Sequence, residues 1–433
     1  MANKKFRLMV IGLAHLPCNP YYNACGFTMK NYKFCKMMME LGHDVWYFGA
    51  EGSTVPCNKF IQTHNLSNIR EDYGEADNRF EVGYDFRRDS RFKVDFGSES
   101  KKISTQKLFS KSIEVINATK KPDDFLMLTM GWYQKSIADN VKMFLTCEPG
   151  VGYKGNYAGA QDWRWRKDEE GPICYPGFRA FESHFMRSYM QGVESCNRDT
   201  DGNSYDRVIP NSFERDEFEF SDKKKDYILY LGRLTQRKGI MIAYLACQEA
   251  GVKLVLAGPG GKIMRDGSFV SKTEPQVNFP KGNWEYVGYA DIEKRKILMR
   301  DAKALILPTA YLEPFGGVVA EAALSGTPAI VSANGIFGGD EVCVHGVTGF
   351  RNNTMEDYVW SIKNVDRLDH YVIRKHGEKY LAENIKFEYQ NWMEDLHNLY
   401  LNQQDKRKDW KSIVNQPEPE WRSKRVTIFG KKE

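Results

Sequence analysis

The chain lacks any apolar run that approaches the roughly 20 residues needed to span a bilayer. A secretory leader is not expected either, because Arg7 and His15 interrupt the apolar start and no small-residue cleavage site follows. The stretch at 6–12 fits a first buried strand better. We therefore expect a soluble, cytoplasmic protein that contacts a membrane at most peripherally.

Paired cysteines and a strong charge of one sign are also missing. The nine cysteines are scattered, odd in number and without a CxxC pair, which argues against a zinc site or a disulfide framework and for a reducing compartment. The formal net charge of +5 demands no nucleic-acid partner and is compatible with an anionic substrate. No internal repeat or long low-complexity segment is visible.

Short apolar runs alternate with helix-like stretches along most of the chain. The predicted strands lie at 6–12, 45–48, 125–130 and 141–146 in the first half, and at 227–231, 253–257, 304–307 and 329–332 in the second. Helices are predicted at 28–41 and 238–250. This order indicates two α/β domains with doubly wound parallel sheets, and 433 residues suit two domains. Ligands of such sheets bind beyond the carboxyl ends of the strands, so we expect a cleft between the domains.

The strongest motif runs from Glu313 to Glu321, after the strand at 304–307 and into a helix. Its Gly316-Gly317 pair allows a ligand to approach the backbone, and the helix amides that follow favour a diphosphate. The two carboxylates would then face different hydroxyl groups of one ligand. Acidic residues in the first turn of a helix are also a common capping preference, but that interpretation does not explain the glycines.

A second motif covers 227–239, where a buried strand leads into a turn with Arg233 and Lys238. Basic side chains are not favoured at a helix start, so their presence here suggests a ligand. They would complement a diphosphate leaving group. The alternative is a pair of solvated surface cations.

With Val208-Ile209-Pro210-Asn211-Ser212 and Gly288-Tyr289, these motifs resemble retaining glycosyltransferases of family 4 in order and spacing. The resemblance covers nearly all of the C-terminal half and is weaker before it. It implies the GT-B fold, in which two Rossmann-like domains face a central cleft. We assign 1–212 to the acceptor domain and 213–408 to the donor domain, and expect 409–433 to pack back on the first. Some proteins with this pattern are encoded by large DNA viruses, for which the cytoplasm is the host cell's.

The resemblance also implies roles for single residues. Arg233 and Lys238 would neutralise the donor diphosphate, Glu321 would bind the ribose, and Glu313 would contact the sugar. The implied donor-binding set is Gly26, Arg233, Lys238, Gly258, Pro259, Tyr289, Ala290, Glu313, Phe315, Gly316, Gly317, Val318 and Glu321. Glu313, Arg233, Lys238 and Glu148 form the implied catalytic set.

Glu148 departs from the family pattern, since members often carry a histidine there. A carboxylate could hold an acceptor or sugar hydroxyl or face the positive charge that develops at the anomeric carbon. It could equally cap the glycine-rich turn that follows.

The resemblance implies transfer of a hexose, with mannose from GDP-mannose as the leading candidate, to a glycan or glycoconjugate. No metal or other cofactor is expected, because Arg233 and Lys238 supply the positive charge. The alternatives are a sugar-nucleotide epimerase or hydrolase of the same fold, and a non-catalytic glycan-binding protein. The sequence leaves the oligomeric state open, a homodimer included.

Three other features have less specific explanations. Asp199-Thr200-Asp201 resembles a metal-binding carboxylate pair, but an acidic surface loop is the favoured interpretation. His15 and His184 are candidates for substrate contact, although a lone histidine is more often structural. A group of aromatic residues would either stack on acceptor sugars or pack the loop at 148–176: Trp132, Tyr133, Tyr153, Tyr157, Trp163 and Trp165.

Overall fold

The computed structural model describes residues 4–20, 25–73, 101–131, 133–151, 166–168, 171–173, 177–195, 205–271, 275–333, 335 and 338–404. Among the aromatic candidates only Tyr133 falls within these ranges. The acidic motif at 199–201 and the segment 409–433 lie outside them.

The first half of the chain builds a seven-stranded parallel sheet. Its strands are β1 (Arg7–Ile11), β2 (Asp44–Ala50), β3 (Lys59–His64), β4 (Phe125–Leu128), β5 (Thr146–Val151), β8 (Phe178–Phe181) and β9 (Arg207–Val208). A hairpin of β6 (Arg166–Asp168) and β7 (Gly171–Ile173) stands apart from it. The helices of this half are α1 (Gly26–Glu40), α2 (Leu66–Tyr73), α3 (Ile103–Thr119), α4 (Lys135–Val141) and α5 (His184–Ser195).

The second half builds a six-stranded parallel sheet. Its strands are β10 (Lys225–Leu231), β11 (Lys253–Ala257), β15 (Trp284–Gly288), β16 (Ala302–Leu307), β17 (Ala329–Ser332) and β18 (Gly349–Asn352), and a small antiparallel sheet holds β12 (Gly261–Ile263), β13 (Phe269–Ser271) and β14 (Asn278–Phe279). The helices are α6 (Ile240–Ala250), α7 (Ile292–Asp301), α8 (Gly317–Leu324), α9 (Gly339–Val342), α10 (Met355–Asn364), α11 (His370–Gly377) and α12 (Ala382–Gln404).

Both sheets are covered by helices on both faces, as their apolar strands require. In β1, Leu8 and Val10 point into the core shared with α1, whereas Met9 and Ile11 point into the core shared with α3 and α4. The strand order reverses between β1 and β4 in the first sheet and between β10 and β16 in the second. Such a reversal opens a crevice at the carboxyl ends of the strands.

The last helix, α12, belongs to the first core although it follows the whole second sheet. Trp392 is 1% exposed there and donates from Nε1 to the carbonyl of Tyr205 at 3.1 Å. His43 and Gln390 are joined by a hydrogen bond of 2.7 Å. The sequence-based division gave 213–408 to the donor domain, and the structure corrects this, because residues 382–400 of that range pack into the first core.

Two predicted elements differ from the structure. The run at 141–146 was predicted as a strand, but Val141 ends α4, Lys142 adopts a left-handed conformation, and β5 starts only at Thr146. The predicted helix at 238–250 is divided at Gly239, where φ is 79°, into a 3-10 turn (Gln236–Lys238) and α6. Within the described residues, no helix has both the length and the apolar character that crossing a bilayer requires.

Candidate functional site

A cleft of about 560 Å³ lies where the carboxyl ends of the two sheets face each other. The first half contributes the start of α1, from Gly26 to Lys33, together with Glu182 after β8. The second half contributes the turns after β10, β11 and β15 and the segment from Tyr311 to Glu321. The cleft is therefore a shared site that neither sheet forms alone.

Lys238 lies beside Glu313 in this cleft. Its Nζ forms an ion pair with Glu313 Oε2 and lies 4.6 Å from the centre of the Tyr311 ring. Both charged side chains are mostly buried. The buried strand β10 positions this pair from one side, because its last residue, Leu231, leads directly into the turn that carries Arg233 and Lys238.

Helix α8 points its N-terminus into the same cleft. Gly316 is the N-cap residue and has φ of 77°, a left-handed conformation that an L side chain rarely adopts. The first amides of a helix have no partner within the helix, and they carry the positive end of its dipole. The turn at Gly316-Gly317 therefore presents amide donors to a ligand, as an anion requires.

Glu321 lies one turn into α8 and is 8% exposed. Its Oε1 is 3.5 Å from Arg295 Nη1, whereas Oε2 is buried and has no hydrogen-bond partner among the described residues. A buried acceptor without a partner is costly and uncommon in folded proteins. A hydroxyl group of a bound ligand would satisfy this oxygen.

The structure brings every predicted donor-binding residue to the cleft. The lining includes Gly26, Arg233, Lys238, Gly258, Pro259, Tyr289, Ala290, Glu313, Phe315, Gly316, Gly317, Val318 and Glu321. Their roles toward a ligand stay predictions, since the geometry shows proximity alone.

Glu148 differs from this set, because the cleft lining does not include it. It is 5% exposed in β5, among Arg179, Lys30 and Asp206. Burial raises the pKa of Glu148 to about 7, although the Gly131 backbone and the charges of Arg179 and Lys30 lower it. Arg179 is paired with Asp206 at 2.7 Å. In this structure Glu148 is thus a buried carboxyl close to the charges of Arg179, Lys30 and Asp206, and its role toward a substrate stays a prediction.

We expect this buried carboxyl to make stability depend on pH. The folded protein binds the Glu148 proton more tightly than the unfolded chain does, so stability falls as pH rises from about 4.5 to about 7. Full ionisation costs on the order of 3 kcal/mol. Measured by calorimetry, the melting temperature of the Glu148→Gln variant should fall less between pH 5 and pH 8 than that of the parent. The exposed Glu285→Gln variant is the control, and equal slopes in all three proteins would contradict the expectation.

The other candidates are not among the residues that line the cleft. His15 contacts the Cys25 thiol at 3.5 Å, and His184 donates its backbone amide to Glu341. Tyr133 packs edge-on against Phe109 of α3, so its predicted packing against the loop at 148–176 stays a prediction. Within the described ranges, no group of His, Cys, Asp and Glu side chains is arranged to hold a metal ion.

Several residues of the cleft were not predicted from the sequence. They are Lys30, Lys33, Glu182, Arg295 and Tyr311. The spacing of Lys30, Lys33 and Lys36 placed all three on one face of α1 and was a usable signal. Glu182 had none, because its partner Lys30 is 152 positions away.

Residues 212–366 match the protein family described as Glycosyl transferases group 1. An uncharacterized glycosyltransferase of Methanocaldococcus jannaschii is 35% identical over 126 residues, or 28% of this chain and 30% of that protein. Glycogen synthase of Mycobacterium tuberculosis is 34% identical over 127 residues, or 28% of this chain and 29% of that enzyme. The chain thus spans about 30% of the length of the curated relatives it matches.

Solved structures resemble about nine tenths of the chain, and two of them serve as examples. HepE of Anabaena, solved in complex with UDP and glucose, has a TM-score of 0.56 at 12% identity and covers 90% of this chain and 100% of its own. Sucrose-phosphate synthase of Thermosynechococcus elongatus has a TM-score of 0.55 at 17% identity and covers 92% of this chain and 98% of its own. The chain therefore has the GT-B fold of two Rossmann-like domains, and its residues 212–366 carry the pattern of the group 1 glycosyl transferases.

Proposed function

We propose that the protein is a retaining glycosyltransferase of family 4 that transfers a hexose from a nucleotide sugar to a glycan or glycoconjugate, without a metal ion. One observation carries most of this proposal. Glu321, whose buried Oε2 has no hydrogen-bond partner among the described residues, lines the same cleft as the Lys238–Glu313 pair and the start of α8. A nucleoside diphosphate sugar needs this set, since its hydroxyls match the carboxylates and its diphosphate matches the cations and amides.

The chemistry follows from where charge develops. Breaking the bond between the anomeric carbon and the phosphate oxygen leaves positive character on the sugar and negative charge on the diphosphate. Arg233, Lys238 and the helix amides would stabilise that negative charge. The acceptor oxygen bonds to the anomeric carbon on the face that the leaving group departs from, and the leaving oxygen takes the hydroxyl proton.

GDP-mannose is the proposed donor, and UDP-linked glucose is the second candidate. The first follows from the resemblance in the donor motifs, and the second from HepE, which binds UDP and glucose. Both donors share the diphosphate and ribose, so they make the same demands on Lys238 and Glu321.

Calorimetric titration with GDP, UDP and ADP, each with and without magnesium, tests the donor site. We expect one nucleotide to bind without the metal, and the Glu321→Gln variant to bind it at least about tenfold more weakly, which is about 1.4 kcal/mol. The Glu285→Gln variant, changed at an exposed carboxylate that pairs with Lys253, should bind like the parent. Absence of binding by every nucleotide at millimolar concentration would contradict the proposal.

A further inference from the structure

The cleft holds a second lysine–glutamate pair, on the wall opposite Lys238 and Glu313. Lys30 of α1 forms an ion pair with Glu182, and its Nζ also donates to the carbonyl of Gly150. The two side chains are 15% and 8% exposed, and both line the cleft. Removing these two charges from water costs free energy, and apolar side chains of similar size often stabilise a fold equally well. The pair therefore suggests a role other than folding stability.

A direct contact between the two walls places this pair close to Glu313. Ser183 Oγ donates to the carbonyl of Pro314 at 2.6 Å. Glu182 precedes Ser183 and Glu313 precedes Pro314, so each carboxylate is one residue from the hydrogen bond that joins the walls.

A second contact holds the same segment in place. The Glu341 carboxylate accepts from the backbone amides of His184 and Phe185 at 2.9 and 2.6 Å. These amides lie at the start of α5, where a carboxylate is favoured. The position of Glu182 relative to Glu313 is therefore set by the second half of the chain as well as by the first.

The charges on the side of the cleft that carries Lys30 and Glu182 indicate which class of ligand binds there. Lys30 is neutralised by Glu182, and Lys33 is paired with Glu217 at 3.1 Å. Among the described residues that the first sheet and its helices contribute to the cleft, each cation thus has a carboxylate partner. The Lys238–Glu313 pair is matched in the same way, but Arg233 and the first amides of α8 add positive charge beside it. The charges of Lys30 and Glu182 balance each other, and a sugar can accept from the ammonium group and donate to the carboxylate.

We propose that the Lys30–Glu182 pair binds hydroxyl groups of the acceptor, and that the acceptor is a neutral polyhydroxyl compound, such as an unphosphorylated sugar of a glycan. This inference rests on the proposed transfer reaction. The Glu182 carboxylate accepts a hydrogen bond from the acceptor, while the proton of the attacking hydroxyl passes to the leaving diphosphate. The one donor contact predicted on this side of the cleft is Gly26, which has no side chain, so we expect the pair to affect acceptor binding and to leave nucleotide binding unchanged.

The acceptor class can be tested with matched neutral and phosphorylated sugars. The assay measures release of nucleoside diphosphate from the sugar nucleotide whose base the titration identifies. The probes are the methyl glycosides of mannose, glucose and galactose and the 6-phosphates of the same three methyl glycosides. We expect at least one neutral probe to accelerate release and its phosphorylated counterpart to do so at least about tenfold less. Greater acceleration by the phosphates, or none by any neutral probe, would overturn the inference.

Variants then test the residues. Glu182→Gln, and Lys30→Gln combined with Glu182→Gln, should raise the KM for the neutral acceptor at least about tenfold. Both should leave the nucleotide Kd and the release rate without acceptor within about twofold of the parent. The double variant removes both charges. It therefore does not leave a buried Lys30 without its partner, which could itself destabilise the fold. Lys36→Met is the matched control. Lys36 lies on the same helix as Lys30 and pairs with Glu214, but it does not line the cleft.

The two proposals fail in different ways. Loss of nucleotide binding by the parent would overturn the donor site itself. Normal nucleotide binding with an unchanged acceptor KM in both variants would overturn only the role of Lys30 and Glu182.

Discussion

Replacing Lys238 with methionine should slow sugar transfer by about 100- to 1000-fold while the protein stays folded. The methionine keeps the length of the apolar stem but removes the cation that pairs with Glu313 and faces the cleft. The leaving diphosphate then loses a fixed positive charge just when its own charge develops. Single-turnover rates with the identified donor would measure the loss, and thermal unfolding would verify the fold.

Lys253→Met is the control for this experiment. Lys253 also forms a lysine–glutamate pair, with Glu285 at 2.8 Å, but both side chains are about half exposed. Exposed pairs contribute little to stability, so we expect normal transfer and normal folding. Equal transfer by the Lys238 and Lys253 variants would show that the cleft cation has no part in catalysis.

The second large effect is expected on stability, from Gly239→Ala. A Cβ atom at Gly239 would lie 1.8 Å from the carbonyl oxygen of Pro308, and the backbone there has φ of 79°. The overlap is with main chain at the end of β16, which cannot rotate away as a side chain would. We expect a loss of about 3–4 kcal/mol in the free energy of unfolding, measured in urea.

Gly251→Ala separates the two causes of that loss. Gly251 has nearly the same φ, 75°, but a Cβ there would meet nothing within 4 Å. This variant should therefore lose only the cost of the left-handed backbone, about 1–2 kcal/mol. If both variants lost a similar amount of unfolding free energy, the backbone would have to relax around Pro308. The close approach of Pro308 would then not explain why the motif has a glycine at position 239.

The elements that the sequence predicted best are the fully buried parallel strands. The runs at 253–257 and 329–332 were predicted with the bounds that β11 and β17 have, because continuous apolar runs between turn residues are typical of such strands. The run at 141–146 has an apolar middle, but its first residue ends a helix that the sequence analysis did not predict. Periodicity cannot separate a helix end from a strand start in a run this short.

The donor side of the cleft was predictable because its residues are close in sequence and belong to one motif each. Glu313 and Glu321 lie on one loop and the helix that follows it, and Lys238 lies on the turn after β10. The opposite wall was not predictable in the same way. The contact between Ser183 and Pro314 joins residues 131 positions apart, and no local pattern in either segment indicates it.

The place of Glu148 required burial to be known. The sequence shows an acid before a glycine-rich turn, which suits a site residue as well as a buried one. Only the structure shows the side chain in the middle of β5 with Arg179 and Asp206 close by.

The return of α12 to the first core determines the order in which the protein can mature during synthesis. Tyr389 packs its ring against Phe34 at 5.1 Å between centroids, and these residues are made at opposite ends of the chain. Domains generally fold as units in the order in which they leave the ribosome. Here the first sheet leaves first but keeps an apolar face uncovered until residues 382–400 have emerged, by which time the second sheet is complete. A nascent chain that stalls before Trp392 therefore exposes that face to chaperones and to other nascent chains, although the strands of both sheets have already been synthesised.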